Sequence, residues 1–162
     1  MGPKIEQYKR NRVNSTRKFL EQLELEGEDF LSSIVTGDEM WVTHYTPETK
    51  RQLSQRHHTN SPPAKKFKTT ILGKKIMVSV FWDQKGIILV KFMPQKETIN
   101  AQRYCVTLKN LKRAIQNKWR GMLTNGVCLL NKNAHPHTAL ATKVLLDSFG
   151  WDVLNHPSYS PD

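Results

Sequence analysis

Apolar residues recur along the chain at helical spacing in some stretches and in short β-rich runs in others. Residues 4–26 set Ile5, Tyr8, Val13, Leu20 and Leu23 among Lys, Arg, Glu and Asn as an amphipathic helix does, and Gly27 is a fitting stop. Residues 30–45 are rich in β-branched and aromatic side chains and predict a strand that Asp38 and Glu39 interrupt. Residues 75–82 and 87–92 are apolar runs around Asp83-Gln84-Lys85-Gly86, which predicts a hairpin. Between strand and hairpin, Pro47, Pro62 and Pro63 stand among polar residues over 46–70, and a long surface connection is expected.

The second half alternates helix and strand. Residues 98–120 place Tyr104, Leu108, Leu111 and Ile115 on one helical face, the expected core face, and Lys109, Lys112, Arg113 and Gln116 on another. Residues 127–130 predict a short buried strand, followed by a loop over 131–137 in which Pro136 blocks continuation. Thr138 is placed to cap a helix carrying Ala141, Val144, Leu145 and Phe149, which Gly150 ends, and residues 151–154 predict a last strand. The order is helix, strand, hairpin, helix, strand, helix, strand. It predicts an α/β fold with antiparallel neighbours first and parallel crossovers later.

Charge narrows the function. The 162 residues hold 25 Lys plus Arg against 14 Asp plus Glu, a net +11, which points to a polyanionic partner without separating DNA from RNA or acidic lipid. No apolar leader opens the chain and no apolar run approaches membrane-spanning length, so no membrane partner is expected. Cys105 and Cys128 lack metal-ligand spacing and are expected to be core thiols.

Five segments then meet a known pattern. Ile34-Val35-Thr36-Gly37-Asp38-Glu39-Met40-Trp41 is similar to the mariner transposase segment that carries the first catalytic aspartate. His156-Pro157-Ser158-Tyr159-Ser160-Pro161-Asp162 resembles the start of that family's HPPYSPDLAPSD stretch. Lys74-Lys75-Ile76-Met77, Phe81-Trp82-Asp83-Gln84-Lys85-Gly86 and Thr98-Ile99-Asn100-Ala101-Gln102-Arg103-Tyr104 match in order between them. The resemblance implies an RNase H-like fold, a mixed five-stranded sheet flanked by helices, in which three carboxylates hold two Mg²⁺ or Mn²⁺ ions for DNA strand cleavage and transfer. Hard divalent ions want oxygen ligands, and two of them activate the attacking oxygen and stabilise the leaving one.

By this resemblance Asp38 is the ancestral first aspartate and metal ligand. The second aspartate, in the family's LLHDNARPH, corresponds to Lys132 in Leu129-Leu130-Asn131-Lys132-Asn133-Ala134-His135-Pro136-His137, and the third falls beyond Asp162. The expectation is a C-terminally truncated core, residues 29–162, behind a helical segment 1–28 that follows lost DNA-binding domains. It is expected to bind DNA independently of sequence, to hold no metal cofactor and to be catalytically inactive. A residual metal-dependent endonuclease is the alternative.

Lys65, Lys66, Lys68, Lys74 and Lys75 are candidate phosphate contacts. Pairing with an intact transposase and a nuclear location are further implications. Glu39, next to Asp38 on a strand, faces the other way, and a structural or surface role is expected for it rather than metal binding. His135 and His137 are expected to be loop residues rather than ligands. If the implied fold holds, Lys132 should lie beside Asp38 and supply the positive charge that the ion supplies in the family.

Overall fold

The computed structural model describes residues 3–43 and 75–155. Helix α1 (Pro3–Glu26) ends where expected, at Gly27, whose positive φ of 59° is the conformation that glycine adopts without steric cost. A short helix α2 (Glu28–Ser33) follows, so Phe30 is helical and the predicted strand over 30–45 begins late, as β1 (Ile34–Thr43). Tertiary packing decides this: Phe30 is buried and its ring meets Phe19 of α1 edge-on, with centroids 5.3 Å apart.

The hairpin forms as β2 (Lys75–Asp83) and β3 (Gly86–Phe92), with a turn tighter than the four residues expected. Asp83 builds that turn, because its Oδ1 accepts from the backbone N–H groups of Lys85 at 2.8 Å and Gly86 at 2.9 Å. Next come α3 (Ala101–Lys118), capped by Asn100 on the Arg103 N–H at 2.9 Å, and the short α4 (Arg120–Asn125).

β4 (Cys128–Asn131) is followed by a helical turn, α5 (His135–Thr138), where a loop is predicted. Pro136 starts that turn instead of blocking it, since a first-turn proline needs no amide donor. Helix α6 (Leu140–Phe149) begins after Ala139, and Thr138 does not cap it: its hydroxyl donates back to the His135 carbonyl. Gly150 closes α6 in the left-handed conformation, and β5 (Asp152–Asn155) completes the described chain.

The strands form one mixed sheet in the order β3-β2-β1-β4-β5. β1 pairs antiparallel with β2 and parallel with β4, and β4 pairs parallel with β5. One face carries the core, in which Tyr104, Leu108, Leu111 and Ile115 of α3 pack on Val35, Phe81 and Leu129. Each Leu or Ile so buried is worth about 1.5–3 kcal/mol relative to exposure. The predicted core face of α3 is therefore the observed one. Cys128 is a buried thiol and Cys105 a partly buried one.

Candidate functional site

Two strands in parallel register bring the candidate residues together. Thr36 stands beside Leu130, so two residues further on Asp38 is level with the position just past β4, which Lys132 occupies. Alternation along β1 sends Val35 and Glu39 toward α3 and Asp38 to the other face; in β4, Leu129 and Asn131 face α3 and Lys132 follows on the Asp38 side. The Lys132 ammonium donates to Asp38 Oδ1, as the implied fold requires. The same oxygen accepts from the Glu39 backbone N–H at 2.7 Å. The side chains of Lys132 and Asp38 are 44% and 43% exposed, so the pair is open to a ligand from solvent.

Directly behind it lies a buried polar network. His137, 5% exposed, turns Nε2 to Glu39 Oε2 at 3.4 Å and Nδ1 to Asn131 Oδ1 at 2.9 Å. Asn131 donates its amide to the His137 carbonyl at 3.3 Å, and the Tyr104 hydroxyl donates to Asn131 Oδ1 at 3.4 Å. The rings of Tyr104 and His137 lie with centroids 4.1 Å apart. Burial, aided by the charge of Glu39, raises the Tyr104 phenol above its ordinary range and keeps it a neutral donor. The network ties β1, β4, α3 and α5 together one residue away from both members of the pair.

His137 is thus a buried structural residue, not the loop residue expected, while His135 is exposed. Glu39 faces away from Asp38 and is structural, as alternation implies. Asn131 and Tyr104 are the members that sequence reasoning missed as polar partners. Their partners come from other elements, and periodicity carries no signal for them.

Of the candidate phosphate contacts, Lys75 starts β2 opposite Thr43, about 16 Å along β1 from Asp38 at strand rise. Lys65, Lys66, Lys68 and Lys74 lie outside the described residues, as do the 46–70 connection and the 156–162 motif. A cavity of about 740 Å³ opens at the opposite ends of β1 and β4, lined among others by Ser33, Asp83, Trp119 and Cys128. None of the candidate residues lines it, and carboxylates supply much of its charge. Among the described residues no helix is long and apolar enough to cross a membrane.

Comparison with known proteins gives the family. The model for Transposase (partial DDE domain) matches residues 46–125. Mariner Mos1 transposase of Drosophila mauritiana is 38% identical over 135 residues, 82% of this chain and 38% of the relative. The chain belongs to the mariner transposase family. This mariner chain is also similar to the histone-lysine N-methyltransferase SETMAR of Homo sapiens, 33% identical over 136 residues, 83% of the chain and 19% of the relative. The crystal structure of the Mos1 mariner paired end complex with Mn superposes with a TM-score of 0.78 at 36% identity, over 97% of this chain and 45% of that one. The fold is thus the RNase H-like one that the resemblance implies, and the mariner chain spans about two fifths of the Mos1 relative's length.

Proposed function

We propose that this mariner chain binds DNA without reading its sequence and does not cut it. The observation that carries the reading is the Lys132 ammonium seated on the Asp38 carboxylate. Cleavage at phosphorus in this family implies hard divalent ions among oxygen ligands at the reacting oxygens. The residues present do not fit such an ion. A cation carried by the chain itself already engages Asp38, and a metal ion brought there would be repelled by it. Among the described residues, no group of three His, Cys, Asp or Glu side chains stands together to hold a metal.

Both partners are nearly half exposed, so the pair contributes only about 0–1 kcal/mol to stability. Its consequence is where it puts charge. A lone carboxylate would repel a phosphate backbone, whereas the neutralised pair lets a strand pass.

DNA as the partner is supported by the net +11 and by Mos1 structures such as the paired-end complex with left transposon end. Phosphate contacts are assigned to Lys65, Lys66, Lys68, Lys74 and Lys75, cations that fix position without selecting bases. A DNA ligand goes with a nuclear location, and pairing with an intact transposase is a separate proposal that co-purification after co-expression tests.

Supercoiled plasmid incubated with Mn²⁺ distinguishes the silent binder from a residual nuclease. The expected result is equal nicking by the chain and by its Asp38→Ala variant; nicking by the chain above that control would overturn the silent reading. Retention on DNA should fall steeply between roughly 50 and 200 mM salt, because counterion release supplies the affinity. Equal retention on DNA and on neutral resin would overturn the binding half.

A further inference from the structure

The cavity where β1 and β4 begin is charged against the rest of the molecule. The chain carries a net +11, yet Glu26, Asp29, Asp83 and Asp152 line this cavity beside only two ammonium groups, those of Lys85 and Lys118. Both cations are already engaged within the chain. Lys118 donates to the Ile87 carbonyl, and Lys85 stands over the Trp119 ring, 5.0 Å from its centroid. Among the described residues, Glu26, Asp29 and Asp152 meet no side chain of opposite charge at ion-pair distance.

Two buried groups on its wall have hydrogen-bonding capacity to spare. Asp83, 8% exposed, spends Oδ1 on the hairpin turn, while its Oδ2 has no hydrogen-bond partner among the described residues. The indole N–H of Trp119, between α3 and α4, is shut off from solvent and has no acceptor. Buried donors nearly always find one, so an orphan donor at the wall of a cavity of about 740 Å³ points to an acceptor brought by a ligand.

These features select the ligand. Among the described residues no three His, Cys, Asp or Glu side chains stand together to hold a metal ion, so the complement is positive charge spread over several groups. A linear polyamine has that charge but, fully protonated, offers no acceptor to the Trp119 N–H. A peptide has both, because its carbonyls accept and its Lys or Arg side chains reach carboxylates. We propose that this cavity binds a basic peptide segment of another protein, with a backbone carbonyl on the Trp119 indole and cationic side chains on Glu26, Asp29 and Asp152. The free oxygen of Asp83 takes a peptide N–H. The site lies at the opposite ends of β1 and β4 from Asp38 and Lys132, and the inference stands whether or not the chain binds DNA.

Calorimetric titration of an end-blocked octapeptide of alternating Lys and Gly into the full chain, without DNA, tests this. The expected result is saturable one-to-one binding despite the chain's net positive charge. Glu26→Gln with Asp29→Asn, both at exposed positions, should weaken it on the order of tenfold. The urea midpoint of that double variant should match the chain's, which separates loss of charge from loss of fold. Trp119→Phe keeps a ring under Lys85 and removes the N–H, and should weaken binding several-fold. Spermine, whose four ammonium groups match the peptide's four, should bind on the order of tenfold more weakly than the peptide and ignore Trp119→Phe. No saturable binding of the peptide, equal affinity for spermine, or peptide binding unmoved by the double variant or by Trp119→Phe would overturn the proposal.

Discussion

Gly37, the residue before Asp38, has no room for a side chain. A Cβ built there would stand 2.5 and 2.6 Å from two ring carbons of Phe81, itself only 2% exposed. The ring fills the space that the missing side chain leaves, and this packing holds β1 on β2 just ahead of the pair. Gly37→Ala must displace a core aromatic and is expected to cost about 1–3 kcal/mol, read as a lower urea midpoint with unchanged slope. An unchanged midpoint would mean that Phe81 yields freely. Of these residues, the match with a known pattern made Asp38 and Lys132 legible, and alternation made Glu39 legible. Neither reached Phe81 over Gly37 or His137 on Glu39, because such contacts depend on how separate elements come together.

Among the elements, β4 is short and interior to the sheet, held in parallel between β1 and β5. Its first residue shows what that burial does. The Cys128 thiol is pushed from an ordinary value of 9.0 up to about 12, first by burial and then by the charges of Asp152 and Glu26. The unfolded chain releases this proton near its ordinary value, whereas the folded chain keeps it until about 12. Between those values the folded state holds the extra proton, so stability falls as pH rises through the window and is unaffected below it. Tyr104, also raised, acts in the same direction. Denaturation midpoints should therefore drop progressively above about pH 9, and Cys128→Ala should remove part of that drop. A midpoint flat up to strong alkali would contradict the burial assigned to β4.

Long periodic elements and the short apolar strands β4 and β5 are readable at this scale, and the short helices are not. The apolar stripe of α3 and the hairpin runs announce themselves, because many residues repeat one spacing. Helices α2 and α5 have six and four residues, too few for a period to show. Phe30 reads as a strand residue until its contact with Phe19 is known, and Pro136 reads as a stop although it also suits a first turn.

At the scale of the molecule, the sheet order puts the end of β4 beside the middle of β1, which makes a site of Asp38 and Lys132. In the proposed function, Lys132 takes the place of a metal ion at Asp38. Mn²⁺ titrated calorimetrically into the chain and into its Lys132→Asp variant measures that directly. The chain should give no heat of binding, and the variant, with two carboxylates in register and the competing cation gone, should give a saturable one that Asp38→Ala abolishes. Binding of Mn²⁺ by the unaltered chain that depends on Asp38, or no gain on Lys132→Asp, would contradict it.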